Sequence, residues 1–283
     1  MRNDKDRIKG SLYAFAIGDA MGATTEFMDS YEIKRKYGRV TNIIGGGWLN
    51  LKPGEVTDDT QMMICVYHGI WERPTEKSDP DYYKTLNSIC QKFREWANSN
   101  PPDIGCTCRT AIYSSPDPNF FGWTNANEKR QSKSGKFEYG NGGVMRCLVP
   151  ALMGNRVLTL DQAYITHTND FTQHYTEEYY YYLRKALFME KPKIKRGLRE
   201  PTGFIKNTVY NAVEWFRRSR DLPTAIIAAV NDGGDADTIA ALTGGLAGAY
   251  WGYDAIPEKW VKQLKPEIRD TLDEITEYIV ANS

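Results

Sequence analysis

The sequence predicts an all-α fold, arranged as a single compact orthogonal multi-helix domain spanning residues 1–283. Three observations carry this prediction. Apolar residues recur at helical spacing from one end to the other, sustained two-residue alternation is absent, and no linker or composition break divides the chain. With 283 residues the chain can bury a sizeable core.

The helical pattern begins with Ile8, Leu12 and Phe15 and ends with Ile268, Leu272, Ile275 and Ile279, so both ends read as amphipathic helices. Between them, 57–71, 82–98, 143–153, 172–189, 203–217, 222–231 and 236–250 read as helices, separated by Gly, Pro or polar clusters. Two stretches, 114–140 and 190–202, carry too little apolar content for core and read as surface insertions or lids. The run Tyr179 to Tyr182 spreads its rings around a helix, for core and interface packing or as a stacking surface for a ligand or partner protein. There is no internal repeat.

Lys plus Arg is 36 and Asp plus Glu is 36, so no charge excess draws the chain to nucleic acid or to an anionic membrane. An anionic ligand must be held by local geometry. The five cysteines, Cys65, Cys90, Cys106, Cys108 and Cys147, are odd in number and scattered, and the first residues are charged, which argues against a disulfide framework and a secretory signal. Cys106 and Cys108 lack zinc-knuckle or redox spacing and read as two buried thiols. No apolar run approaches the roughly 20 residues that span a bilayer, and we expect a soluble, cytoplasmic monomer. With only His68, His167 and His174, a histidine-rich zinc site is not expected.

Two acidic motifs stand out. Thr57-Asp58-Asp59-Thr60 follows the Pro53-Gly54 turn and leads into Met62, Met63, Ile64 and Val66, so Thr57 reads as an N-cap with both aspartates in the first helical turn. Asp235-Ala236-Asp237-Thr238 follows Gly233-Gly234 and leads into Ile239-Ala240-Ala241-Leu242. A cap, and the attraction of carboxylates to the positive end of a helix, accounts for each motif by itself. Together they bring two carboxylates and a threonine hydroxyl each to apolar surroundings, where such groups repel unless a cation sits between them. We therefore expect the motifs to meet in a di-metal cleft. Oxygen-only ligands select Mg²⁺ or Mn²⁺ over zinc. Either Glu26 or Asp19, in the small-residue segment that ends the first helix, can add a further carboxylate.

Three further segments are candidates for binding or catalysis. The glycine-rich run Gly140-Asn141-Gly142-Gly143-Val144-Met145-Arg146 leads into Cys147-Leu148-Val149 and reads as an anion cradle or, equally, as a site of close helix packing. His167 closes a helix, where it either donates to a ligand oxygen or simply complements the helix end. Asp103, ahead of Ile104-Gly105, reads as an N-cap.

In these residues the chain resembles the ADP-ribosylglycohydrolases, and among them the bacterial dinitrogenase-reductase-activating type. The shared pattern comprises Gly18-Asp19-Ala20 through Glu26, Gly45-Gly46-Gly47-Trp48 through Pro53-Gly54, Thr57 through Thr60, Gly140-Asn141-Gly142 through Met145-Arg146, Thr166-His167, and Gly234 through Thr238. The resemblance implies two Mg²⁺ or Mn²⁺ ions held by Glu26, Thr57, Asp58, Asp59, Asp235, Asp237 and Thr238. It implies that ADP-ribose lies against Asp58, Gly140, Asn141, Gly142, Gly143, Met145 and His167, and that Asp58, Asp59 and Asp103 are catalytic, Asp103 assisting opening of the ribose ring. The implied reaction is hydrolysis of mono-ADP-ribose from a modified protein side chain, most often arginine, with ADP-ribose as product. A serine-linked or other O-linked substrate, a non-catalytic ADP-ribose-binding relative and a two-metal phosphohydrolase are the alternatives. Two departures concern the substrate protein: Cys106 stands where the pattern leads us to expect an acidic residue, and the 114–140 insertion is longer than usual.

Overall fold

The computed structural model describes residues 2–136, 138–193, 195 and 197–282, with only the backbone of Arg2 and Asn3. In chain order the helices are α1 (Arg2–Gly22), α2 (Ser30–Tyr37), α3 (Asp58–Ile70), α4 (Tyr82–Asn98), α5 (Cys106–Ile112), α6 (Phe120–Ser134) and α7 (Leu148–Leu152). They continue with α8 (Arg156–Tyr164), α9 (Asp170–Leu187), α10 (Ile205–Arg218), α11 (Leu222–Val230), α12 (Ala236–Trp251), α13 (Glu258–Gln263) and α14 (Pro266–Ala281). Among the described residues there is no strand, only isolated bridges, in agreement with the all-α expectation.

The core is organised around α1 and α12. A Cβ built on Gly18 would lie 2.2 Å from the Ala240 carbonyl oxygen, one on Gly22 2.4 Å from that of Ala236, and one on Gly248 2.0 Å from that of Gly10. Numbers rise along one helix as they fall along the other, so the two run antiparallel with their backbones in near contact. Only a missing side chain permits that approach. The consequence for the site is direct: the C-terminal end of α1, followed by Glu26, lies beside the N-terminal start of α12.

Several expectations are corrected. Helix α1 is buried on every face from Gly10 onward rather than amphipathic, because small residues on its α12 side let a second helix cover what would otherwise be its solvent face. The stretch 114–140 contains α6, whose inward stripe is Trp123, Asn127 and Gln131, all buried. Two of those three are amides, so the helix carries no apolar period. The helix expected over 143–153 is only α7: Pro150 has no N–H to give the Arg146 carbonyl and its ring would clash there, so the chain before Leu148 folds into turns. Asp103 does not cap α5, whose preceding residue is Gly105; its carboxylate accepts from Ile104 N at 2.7 Å. Cys108 is buried as expected, but Cys106, at the first turn of α5, is exposed. Of the tyrosine run on α9, Tyr179, Tyr180 and Tyr182 are buried and Tyr181 is exposed.

Candidate metal and substrate cleft

Asp19 anchors the start of α3. Its carboxylate, fully buried on α1, accepts from Thr57 N (3.0 Å), Thr60 N (3.1 Å) and Thr60 Oγ1 (2.5 Å). Thr57 caps α3 as expected, its hydroxyl accepting from Asp59 N at 3.3 Å. Asp19 and Glu26 differ in geometry: Asp19 is consumed by hydrogen bonds, whereas Glu26 lines the acidic cleft.

One cleft of about 340 Å³ gathers the acidic residues. Its walls include six carboxylates, Glu26, Asp58, Asp59, Asp103, Asp235 and Asp237, and among the described residues no lysine or arginine. Glu26, Asp235 and Asp237 each offer an oxygen within 4.8 Å of the others. Asp59 Oδ1 and Asp237 Oδ1 are buried without a hydrogen-bond partner among the described residues. Among the other contacts, Trp48 Nε1 donates to Glu26 Oε2 (2.5 Å), Gly105 N to Asp58 Oδ2 (3.3 Å), Asn141 Nδ2 to Asp235 Oδ2 (2.6 Å), and the Thr57 (3.4 Å) and Thr238 (3.3 Å) hydroxyls to Asp59 Oδ2.

Electrostatics follows from that arrangement. Burial, reinforced by neighbouring carboxylates, pushes Glu26 up to about 8 and Asp58 to about 7. Burial raises Asp235 to about 6 against the hydrogen bond from Asn141, and drives Asp59 and Asp237 well above the usual carboxylate range. A nest of oxygen donors with unpartnered lone pairs and no resident positive charge is chemically suited to hard divalent cations.

The glycine loop forms the opposite wall. Gly140, Asn141, Gly142 and Met145 line the cleft, and Asn141 N donates to Gly203 O at 3.1 Å. Val144 N and Met145 N both donate to Asn141 O, so neither of these N–H groups is open to an anion. A Cβ on Gly142 would lie 2.6 Å from Cys108 Sγ and 2.9 Å from His167 Cε1, so His167 packs directly beneath the loop. Gly143 packs toward Ala163 of α8, and Thr57 reaches the site through its hydroxyl, which donates to Asp59 Oδ2 at 3.4 Å; neither is among the residues that line the cleft.

His167 is buried, and burial together with the Arg146 charge lowers it to about 3. The imidazole is therefore neutral near pH 7. Its Nδ1 lies 2.8 Å from Thr166 Oγ1, which also accepts from Arg146 Nη2 at 2.8 Å. Arginine only donates, so the Thr166 hydroxyl can give its own proton to Nδ1, an arrangement in which the ring proton sits on Nε2, facing Gly140. Arg146 is held in turn by Gln162 and by the face of Phe93, 4.5 Å away.

Two features escaped the sequence reading. Asp19 acts by holding α3 rather than by facing the cleft, and Phe27 and Trp48 stand at its rim. Phe27 has a φ of 61°, a conformation that costs a bulky residue about 1–3 kcal/mol.

The family model described as ADP-ribosylglycohydrolase matches residues 1–196 and 170–283, the whole chain between its two segments. The chain belongs to the ADP-ribosylglycohydrolase family. It is 33% identical to the ADP-ribosyl-(dinitrogen reductase) glycohydrolase of Rhodospirillum rubrum, over 95% of this chain and 95% of that protein. It is 27% identical to the ADP-ribosylarginine hydrolase Tri1 of Pseudomonas putida, over 92% of this chain and 74% of that one. A solved structure of an ADP-ribosylglycohydrolase-related protein complex is 25% identical, covers both chains completely and superposes with a TM-score of 0.73. Family and fold therefore agree with the resemblance read from the motifs.

Proposed function

We propose that this chain is a metal-dependent hydrolase that removes mono-ADP-ribose from arginine side chains of a modified protein. The observation that carries this reading is the six-carboxylate cleft, with its two unpartnered oxygens, in a member of this family. Similarity to a Tri1 relative named as an arginine hydrolase favours the N-glycosidic linkage. We read residues 1–283 as one ADP-ribosylglycohydrolase domain acting as a cytoplasmic monomer; among the described residues no helix is long and apolar enough to cross a membrane.

Two cations, Mg²⁺ or Mn²⁺, would be held by Glu26, Thr57, Asp58, Asp59, Asp235, Asp237 and Thr238. When bound, they supply Lewis acidity that orients the ribose hydroxyls and makes water a better nucleophile. The rest is done by the chain. Cleavage breaks the bond from the anomeric carbon to nitrogen, the electron pair leaves with the guanidine, and water adds to the oxocarbenium-like ribose. Asp58 or Asp59 accepts the proton of that water, and Asp103 carries a proton toward the departing group. Burial raises the Asp103 carboxyl from its ordinary value, the direction this role needs. Gly140, Asn141, Gly142 and Met145 bed the diphosphate, with Gly143 setting the loop against α8, and His167 donates Nε2–H to a ligand oxygen. Tyr139, Phe171 and Phe204, clustered beside the loop with Tyr139 and Phe171 4.8 Å apart, offer rings for the adenine.

A panel of arginine-, serine- and nucleotide-linked ADP-ribose substrates, each assayed with Mg²⁺ and Mn²⁺, tests the reading. Release of ADP-ribose with unmodified arginine supports it, and cleavage confined to the O-linked or nucleotide substrates rejects it.

A further inference from the structure

We propose that Phe27 and Trp48 receive the side chain of the modified residue and select one that is planar and cationic. The inference rests on the arginine-linked reading and goes beyond it by naming the residues that recognise the leaving group.

Both rings stand on the wall of the cleft that holds the six carboxylates, with centroids 5.4 Å apart and planes inclined at 52°. Both are unusually open for large aromatics, Phe27 at 68% and Trp48 at 50% exposure, so core packing does not explain them. They flank Glu26 on two sides. Phe27 follows it in the chain, and Trp48 Nε1 donates to its Oε2. The Phe27 backbone is fixed from both directions: its N–H donates to Gly234 O at 2.7 Å, and Gly234 N donates to Met28 O at 2.8 Å. The left-handed turn at Phe27 is thus tied to the loop that carries Asp235, which fixes the backbone from which its ring borders the cleft.

The chemistry of this rim is specific. A guanidinium joined to ribose remains flat and positively charged, and such a group stacks on aromatic faces that a neutral hydroxyl does not engage. Adenine, the other flat group of the substrate, is the competing occupant, and the same experiment separates the two.

Steady-state kinetics with an ADP-ribosyl-arginine peptide, in the metal-loaded enzyme, provides the test. For Phe27→Ala we expect KM to rise about tenfold while the inhibition constant of free ADP-ribose, which lacks the leaving group, stays within about twofold. Phe27→Tyr restores KM. Trp48→Phe keeps a ring but removes the N–H held by Glu26, so kcat falls more than KM rises. An unchanged KM in Phe27→Ala overturns the proposal, as does a parallel rise in the ADP-ribose inhibition constant, which would place adenine or ribose on the ring. A wild-type enzyme unable to cleave the arginine linkage rejects the proposed function itself, whereas wild-type cleavage with an insensitive Phe27→Ala rejects only this recognition.

Discussion

Thr238 Oγ1, in the first turn of α12, donates to Asp59 Oδ2, in the first turn of α3, at 3.3 Å across a sequence separation of 179. Two helix starts that each resemble an ordinary cap are thereby joined face to face. The charge this concentrates is what makes the cleft unstable alone and receptive to cations.

Replacing one carboxylate should therefore separate stability from function. Asp237→Asn removes a buried carboxyl that has an unpartnered oxygen and is penalised whenever it ionises, and we expect it to melt higher than wild type in EDTA while turnover falls about 100-fold or more. Thermal denaturation with and without Mn²⁺ checks both halves: wild type gains stability on adding metal, and the variant gains much less.

The pH dependence of the metal-free protein follows in sign. Glu26, Asp58 and Asp235 are raised to about 8, 7 and 6, above their ordinary values, so folding favours their protonated forms. That contribution is complete below the ordinary carboxylate range and is lost as pH rises through 6 to 8. Melting in EDTA should fall between about pH 5.5 and 8.5, and saturating Mg²⁺ should flatten the decline. A metal-free melting point that climbs over this range would contradict the cluster's electrostatics.

The close approach of α1 and α12 predicts that Gly22→Ala is severe. The added methyl group would sit 2.4 Å from the Ala236 carbonyl oxygen, so the helices must part where Glu26 and Asp237 face each other. Overpacking of this kind costs about 1–3 kcal/mol. Urea unfolding measures that loss, and titration with Mn²⁺ should show weakened binding in the fraction that remains folded.

His167 should stay neutral far into the acid range. Burial and Arg146 lower it to about 3, below its ordinary value, so its stabilising contribution is full above the ordinary histidine range and fades as pH falls. Nitrogen-15 NMR of the imidazole should report the Nε2–H tautomer at pH 5, and Arg146→Met should release protonation to higher pH. A ring that titrates in wild type near its ordinary value would refute the Arg146–Thr166 arrangement.

Much of this was legible in the sequence where one physical rule dominated. α3, α4, α10, α11 and α12 announce themselves through apolar runs and punctuating residues, and the caps of α3 fall where Thr57 and the aspartates indicate. α6 was invisible because Asn127 and Gln131 occupy its buried face where an apolar stripe would be expected, Gln131 donating to Thr168 Oγ1 at 2.7 Å. Glu26 and Asp19 could not be ranked because both end the same helix; only the third dimension shows Asp19 turned into the α3 N-terminus. Phe27 gave no signal, since its exposure is set by a left-handed turn closed against a loop more than 200 residues away.

The central claim is metal-dependent cleavage at an arginine linkage by the paired acidic motifs, and turnover of an ADP-ribosyl-arginine peptide by wild type and Asp59→Ala, with Mn²⁺ or EDTA, tests it most directly. The expected result is free ADP-ribose and unmodified arginine from the wild type with Mn²⁺, lowered at least about 100-fold by EDTA or by Asp59→Ala. Undiminished turnover in Asp59→Ala, or release of AMP with a phosphoribosylated peptide, would contradict it.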